Sequence, residues 1–236
     1  VAVPKEGGGY TVVPAKRKIT IRDLLTHTAG IGYGSGPAAD KWKEAGIQGW
    51  YFADRDEPIA STVDRMATLP MDAQPGEKFV YGYNTDILGV VIERASGKTL
   101  DVFMSEKVFK PLGMTDTYFY LPKDKAPRFA TVYSLEKSGP VTRAPDPGKM
   151  VGQGMYLDGP RKSFSGGAGI LSTARDYASF LTMILNKGMH NGKRILSRKS
   201  VELMTVDHLR SIPYADGAGF GLGFEVTDKL GDRGRL

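Results

Sequence analysis

The chain contains no cysteine, and this excludes disulfides, thiolate catalysis and cysteine-ligated zinc. It leaves the compartment open, because cytosolic and periplasmic proteins can both lack cysteine. Histidine is nearly absent as well. His27, His190 and His208 are isolated from one another and form no H-E-x-x-H or paired-histidine metal motif. No apolar run approaches the roughly 20 residues of a membrane span. Val1-Ala2-Val3-Pro4-Lys5-Glu6 carries no apolar signal-peptide core. The first residue is not Met, so nothing about targeting follows.

What remains is an ordinary globular composition. Of the 236 residues, 41% are hydrophobic and 25% charged, enough to bury a core as one large domain or two small ones. The net charge is +6, but the basic residues are scattered. Lys16-Arg17-Lys18 and Arg198-Lys199 are the densest groups, with no interleaved aromatic stripe. This pattern predicts a solvated surface rather than a nucleic-acid site.

Turn and cap signals divide the chain. Residues 8 to 20 read as a hairpin or extended arm. Thr20 with Asp23 resembles a capping box that opens a short helix, Ile21 to Thr26, which ends in the loop of Gly30, Gly32, Gly34 and Gly36. Short helices are predicted at Ala38 to Ala45 and at Ser61 to Leu69, the second stopped by Pro70. Asn84 or Thr85 caps a helix showing Ile87, Leu88, Val91 and Ile92 on one face, with Gly97 as its stop. Thr99 caps the next, with Pro111 after it. Residues 128 to 160 read as strands and loops. Thr173 with Asp176 opens the longest helix, Ala174 to Asn186, with Tyr177, Phe180, Leu181, Ile184 and Leu185 inward. Ser197 caps Arg198 to Thr205, and Phe220 to Val226 reads as a strand. Periodicity thus gives a mixed α and β chain.

Four segments carry a family resemblance. They are ITIRDLLTHTAGIGYG (residues 19 to 34), PGEKFVYGYNTDILGVVIERASGKTL (75 to 100), VFKPLGMTDTYF (108 to 119) and FSGGAGILSTARDYASFLTMILNKG (164 to 188). In that order they resemble the serine beta-lactamase-related hydrolases, which include class C beta-lactamases, DD-peptidases and the family VIII esterases of the same fold. Gly219-Phe220-Gly221-Leu222-Gly223-Phe224 extends the match.

The resemblance implies an α+β fold, a helical domain against an antiparallel sheet, with the site between them. Residues 1 to 210 would form the helical region with its loops, and 211 to 236 the start of the sheet. It implies a hydrolase acting on an ester, amide or peptide carbonyl through an acyl-enzyme, with no cofactor. In this family a serine and a lysine stand one helical turn apart as S-x-x-K, so that the ammonium can activate the hydroxyl. A tyrosine shuttles the proton, and a third motif on a sheet strand lines the other wall.

Tyr81 matches the catalytic tyrosine, with Tyr83 and Asn84 beside it as substrate-binding residues. A Y-x-N pattern would place its asparagine where Tyr83 stands. That departure resembles the esterase-like branches and speaks against beta-lactamase activity; a beta-lactamase or DD-peptidase proper is the alternative reading. The one literal S-x-x-K, Ser134-Leu135-Glu136-Lys137, follows the tyrosine block, adjoins Gly139-Pro140 and reads as a polar turn. Ser96-Gly97-Lys98-Thr99 reads as a junction between helices. Ser165-Gly166-Gly167-Ala168-Gly169 lacks the G-K-[ST] ending of a phosphate loop and reads as a tight turn, placed by the resemblance towards the cleft. His27 reads as a helix-end packing residue.

The chain therefore resembles the middle of a longer enzyme, whose other segments would be its partners beside a small-molecule or peptide substrate. A fold retained as a non-catalytic binding module is the competing reading.

Overall fold

The structure is a computed structural model that describes residues 1–135, 139–146, 148–215 and 217–227. The N-terminal arm is a hairpin. Strands β1 (Ala2–Pro4) and β2 (Tyr10–Val12) pair antiparallel with Ala2 opposite Val12. It starts earlier than residue 8, because Ala2–Pro4 supplies the partner strand. The Ala2 amide donates to Met71 O at 2.8 Å and ties the arm to the body.

Helix α1 (Ile21–Leu25) begins with a complete capping box, in which Thr20 caps the Asp23 amide and the Asp23 carboxylate returns to Thr20. Helices α2 (Ala39–Glu44) and α3 (Ile59–Met66) follow. Helix α4 (Asn84–Ser96) ends at Gly97, whose φ of 68° is the left-handed cap that glycine accepts without strain. No side chain caps its start.

Helix α5 (Leu100–Met104) does not stop before Pro111. A π-turn (Ser105–Phe109) carries it into α6 (Lys110–Leu112), where Pro111 sits in the first turn and needs no backbone bond. The segment 128 to 160 is only partly strand. A 3₁₀ turn (Lys123–Arg128) precedes the hairpin β3 (Tyr133–Leu135) and β4 (Val141–Arg143). Two short helices follow, α7 (Lys149–Gly152) and α8 (Met155–Asp158).

The last third holds α9 (Ala174–Leu185), the small hairpin β5 (Met189–His190) and β6 (Lys193–Arg194), and α10 (Arg198–Met204). The stretch read as one strand is a hairpin of β7 (Gly219–Phe220) and β8 (Glu225–Val226), because Gly221 to Gly223 turns the chain. Every strand pair among the described residues is antiparallel and two-stranded.

Helix α9 is rotated from the expected inward set. Met183 is buried, and Phe180 and Ile184 pack on the core, but Tyr177, Leu181 and Leu185 face solvent. The cause lies at its first turn. Thr173 caps the Asp176 amide, yet the Asp176 carboxylate accepts from the Asp116 amide at 2.7 Å and Thr117 Oγ1 at 2.8 Å. This pins the Asp176 face, and with it Phe180 and Met183, against the 114–120 segment.

Two apolar clusters form the core. One gathers Leu24, Ile31, Trp42, Phe52, Ile59, Val63, Tyr83 and Val90. The other gathers Tyr51, Leu100, Phe109, Leu112, Phe119, Tyr156 and Met183. Helix α4 sends Val90 into the first and Ile92 against the second, so its N-terminus is a fixed point between them.

Candidate functional site

Tyr81 lies three residues ahead of α4 on a backbone held from both sides. The Val80 amide donates to His27 O at 2.7 Å. Gly82 packs so closely on the Ile31–Gly32 backbone that any Cβ would collide with it. The Asn84 amide nitrogen faces three acceptors: His27 Nδ1 at 3.0 Å, Ile31 O at 3.2 Å and Val80 O at 3.2 Å. On this rigid segment Tyr81 stays 60% exposed.

The phenol has aromatic company. Its ring centroid is 4.6 Å from that of His27, tilted by 31°, and 5.8 Å from that of Tyr33, edge-on. His27 in turn rests on Phe79 at 5.7 Å and Phe220 at 5.6 Å. Phe220 arrives from β7, near the far end of the chain. The Gly223 amide fixes that hairpin to Leu25 O at 3.0 Å.

Burial sets the protonation states around the phenol. It pushes the His27 imidazole down to about 4, so the ring is neutral at ordinary pH. With Nδ1 accepting from Asn84, the proton sits on Nε2. The Tyr33 phenol is pushed up to about 12, first by burial and then by Tyr81 and Asp86.

Tyr83 and Asn84, expected at the substrate, are fully buried. The Tyr83 hydroxyl donates to Gly49 O at 2.8 Å, its ring packs on Trp42, Tyr33 and Phe52, and burial raises its pKa. The Asn84 amide nitrogen is consumed by its three acceptors. In this structure neither residue offers a polar donor to a substrate. They hold the Tyr81 segment from beneath because the first turn of α4 points into the core.

Two residues that sequence reasoning passed over belong to this region. Tyr33 comes from the glycine loop and had no signal beyond the spacing of its glycines. Asp86 stands inside the first turn of α4, where an acidic residue reads as a solvated helix start. It is instead buried, with a pKa raised to about 6, and binds the Ser165 loop. Gly166 lies against Thr85 O and Gly89, too close for a Cβ, which brings this glycine turn onto the start of α4.

The other candidates make contacts of their own. Ser134 is on β3, and Glu136 and Lys137 of its S-x-x-K lie outside the described residues. Ser96 to Thr99 forms the α4–α5 junction, with Lys98 paired to Glu106. His190 pairs with Asn191, and His208 bridges Arg22 and Leu203 O. Among the described residues no group of three or more His, Cys, Asp or Glu could hold a metal ion, and no helix is long and apolar enough to cross a membrane.

Comparison with known proteins gives this arrangement a context. An uncharacterized protein of Mycobacterium tuberculosis is 35% identical over 230 residues, covering 91% of this chain and 53% of that protein. The lovastatin esterase of Penicillium rubens is 32% identical over 198 residues, covering 83% of this chain and 46% of the esterase. The solved structure of EstCE1, a hydrolase with promiscuous acyltransferase activity, superposes with a TM-score of 0.72 at 27% identity, covering 91% of this chain and 58% of that one. The chain spans about half the length of the curated relatives it matches. Residues 10–235 match the family model described as Beta-lactamase. The chain therefore belongs to the Beta-lactamase family and has the beta-lactamase/transpeptidase-like fold.

Proposed function

We propose that this chain is the tyrosine-bearing part of a serine hydrolase that cleaves a carbonyl substrate through an acyl-enzyme. The observation that carries this reading is Tyr81: a solvent-facing phenol on a backbone locked by Gly82, Asn84 and His27. Proton transfer needs a group held within hydrogen-bond reach of the reacting atoms, and an exposed phenol on a fixed backbone, its hydroxyl beside that of Tyr33, meets that need. Tyr81 would take the nucleophile's proton and return it to the leaving group. The nucleophile would come from polypeptide outside these residues, because Ser134, the serine of the chain's one S-x-x-K, sits on a β-hairpin strand. Residues 1 to 236 would then be part of one domain.

An ester is the favoured substrate over a lactam. A Y-x-N site needs an asparagine amide directed at the substrate; here Tyr83 stands at that position, and the next residue, Asn84, is buried with its amide nitrogen spent on His27, Ile31 and Val80. The esterase relative supports the same choice. The test is to compare an activated aryl ester with a chromogenic cephalosporin on the whole protein and on its Tyr81→Phe variant. Ester turnover lost in the variant supports the reading. Cephalosporin turnover of comparable efficiency would overturn the ester preference, and full activity of Tyr81→Phe would overturn the role of the tyrosine.

A further inference from the structure

Tyr81 is pinned at its backbone, but its exposed side chain needs a separate constraint. The backbone alone leaves the phenol free to change rotamer, and a swing of the ring would carry the hydroxyl out of reach of any reacting atom. One face of the ring lies against His27 at 4.6 Å, and Tyr33 meets it edge-on with its hydroxyl beside that of Tyr81. His27 cannot itself move. Its backbone φ of 54° is left-handed, a region where histidine and asparagine are enriched among non-glycine residues. Its carbonyl holds Val80, its ring rests on Phe79 and Phe220, and its Nδ1 accepts from Asn84. The Asn84 amide orientation is fixed too, since the opposite flip would set its oxygen against the carbonyls of Ile31 and Val80.

We infer that His27 is a positioning residue for Tyr81: its ring, clamped by the Asn84 amide and the Phe79–Phe220 bed, is the platform that fixes the direction of the phenol. This rests on the reading of Tyr81 as the proton-transfer group. It gives His27 a role that neither a base nor a metal ligand would have, acting through the Tyr81 ring.

Two substitutions separate the parts of the device. His27→Asn keeps an acceptor for Asn84 and suits the left-handed backbone, but removes the platform. His27→Phe keeps a ring and removes the acceptor. The readout is the ¹⁹F resonance of 3-fluorotyrosine placed at position 81 in the whole protein, alongside ester hydrolysis. In His27→Asn the resonance should move towards that of free fluorotyrosine, and kcat should fall about tenfold with KM unchanged, below the hundredfold cost of a badly misplaced group. His27→Phe, where it folds, should recover most of the shift and part of kcat. An unchanged resonance in His27→Asn overturns the proposal whatever the activity does. A moved resonance with undiminished kcat overturns it as well. If Tyr81→Phe retains full activity, the catalytic reading of Tyr81 fails instead, and the resonance still reports whether His27 holds the ring.

Discussion

Oδ1 of Asp86, in the first turn of α4, accepts the Ser165 hydroxyl at 2.5 Å and the Gly167 amide at 3.1 Å, so one buried carboxylate joins the tyrosine helix to the glycine turn. Burial raises its pKa to about 6, above the usual value of about 3.9 in an unfolded chain. The native state thus binds this proton more tightly than the unfolded state. Its contribution to stability is complete below about pH 4 and is lost as pH rises through about 6, a change on the order of 3 kcal/mol at most. Asp86→Asn keeps an oxygen for Ser165 and Gly167 and removes the charge. Urea unfolding from pH 4 to 7 should show the variant with a flatter profile than the parent. Asp86→Ala should cost about 2 kcal/mol, because Ser165 loses its buried acceptor. Parallel profiles for Asp86→Asn and the parent would rule this out.

Asp23 has the opposite sign. Arg17 grips both carboxylate oxygens at 2.6 and 2.8 Å, and Thr20 adds its amide and hydroxyl, holding the pKa well below the usual carboxylate range. The stability from this group is present above about pH 4 and lost as pH falls towards the lower folded value. Asp23 also accepts from Thr28 Oγ1 at 3.3 Å, so the loss reaches the backbone next to His27. Asp23→Asn should lower stability at pH 7 by about 2 kcal/mol and reduce the acid sensitivity of the melt. A thermal scan of both proteins at pH 3 and 7 checks this.

These two carboxylates show what the sequence could and could not reveal. The Thr20 and Asp23 box, Gly97 and Ser197 were legible because a cap is a local event, complete within four residues. Asp86 was not, since its partners are about 80 positions away in sequence. A hint was present: Asp86 lies three residues before Gly89 and four before Val90, both buried on its own face. Helix α9 illustrates the other limit. A 3.6-residue period finds a helix with an apolar side, but the Asp176 contacts with Asp116 and Thr117 decide which of two adjacent stripes turns inward. The candidacy of Tyr81 rests on the family resemblance, since no local pattern singles it out. The burial of Tyr83 and Asn84 depends on where α4 enters the core.

Tyr81 and Tyr83 should therefore respond differently to loss of the hydroxyl. Tyr81→Phe should lower kcat of the active protein by about 100-fold, the scale for an acid–base group, with little change in Tm. Tyr83→Phe removes one bond to Gly49 O and should cost about 1 kcal/mol of stability with kcat nearly intact. Steady-state kinetics and calorimetry on the pair decide it. The reverse pattern would place the chemistry on Tyr83.

The 236 residues alone should show no acyl-enzyme chemistry. Ser134, the serine of the chain's only S-x-x-K, is on a β-hairpin strand rather than at a helix start. Incubation with a fluorophosphonate probe followed by mass spectrometry should find no stoichiometric adduct. Labelling of Ser134, abolished by Lys137→Ala, would establish a nucleophile within this chain.

The last expectation concerns the surface. Tyr177, Leu181 and Leu185 stand at i, i+4 and i+8 on α9 and form one exposed row, with Leu185 79% exposed. In addition, a cavity of about 650 Å³ is lined by Leu24, Ile31, Trp42, Val63, Met66 and Ile87. Isolated apolar residues on a surface are normal, but a continuous row and an open apolar hollow are features that association covers. The 236-residue chain should therefore self-associate as its concentration rises, giving a growing radius of gyration in solution scattering and a broad melt. Leu181→Lys with Leu185→Glu breaks the row without touching Met183 or Ile184, which face the core. The double variant should scatter as a smaller particle at the same concentration. A parent chain that stays a compact monomer with a sharp melt at every concentration would show that neither surface drives association.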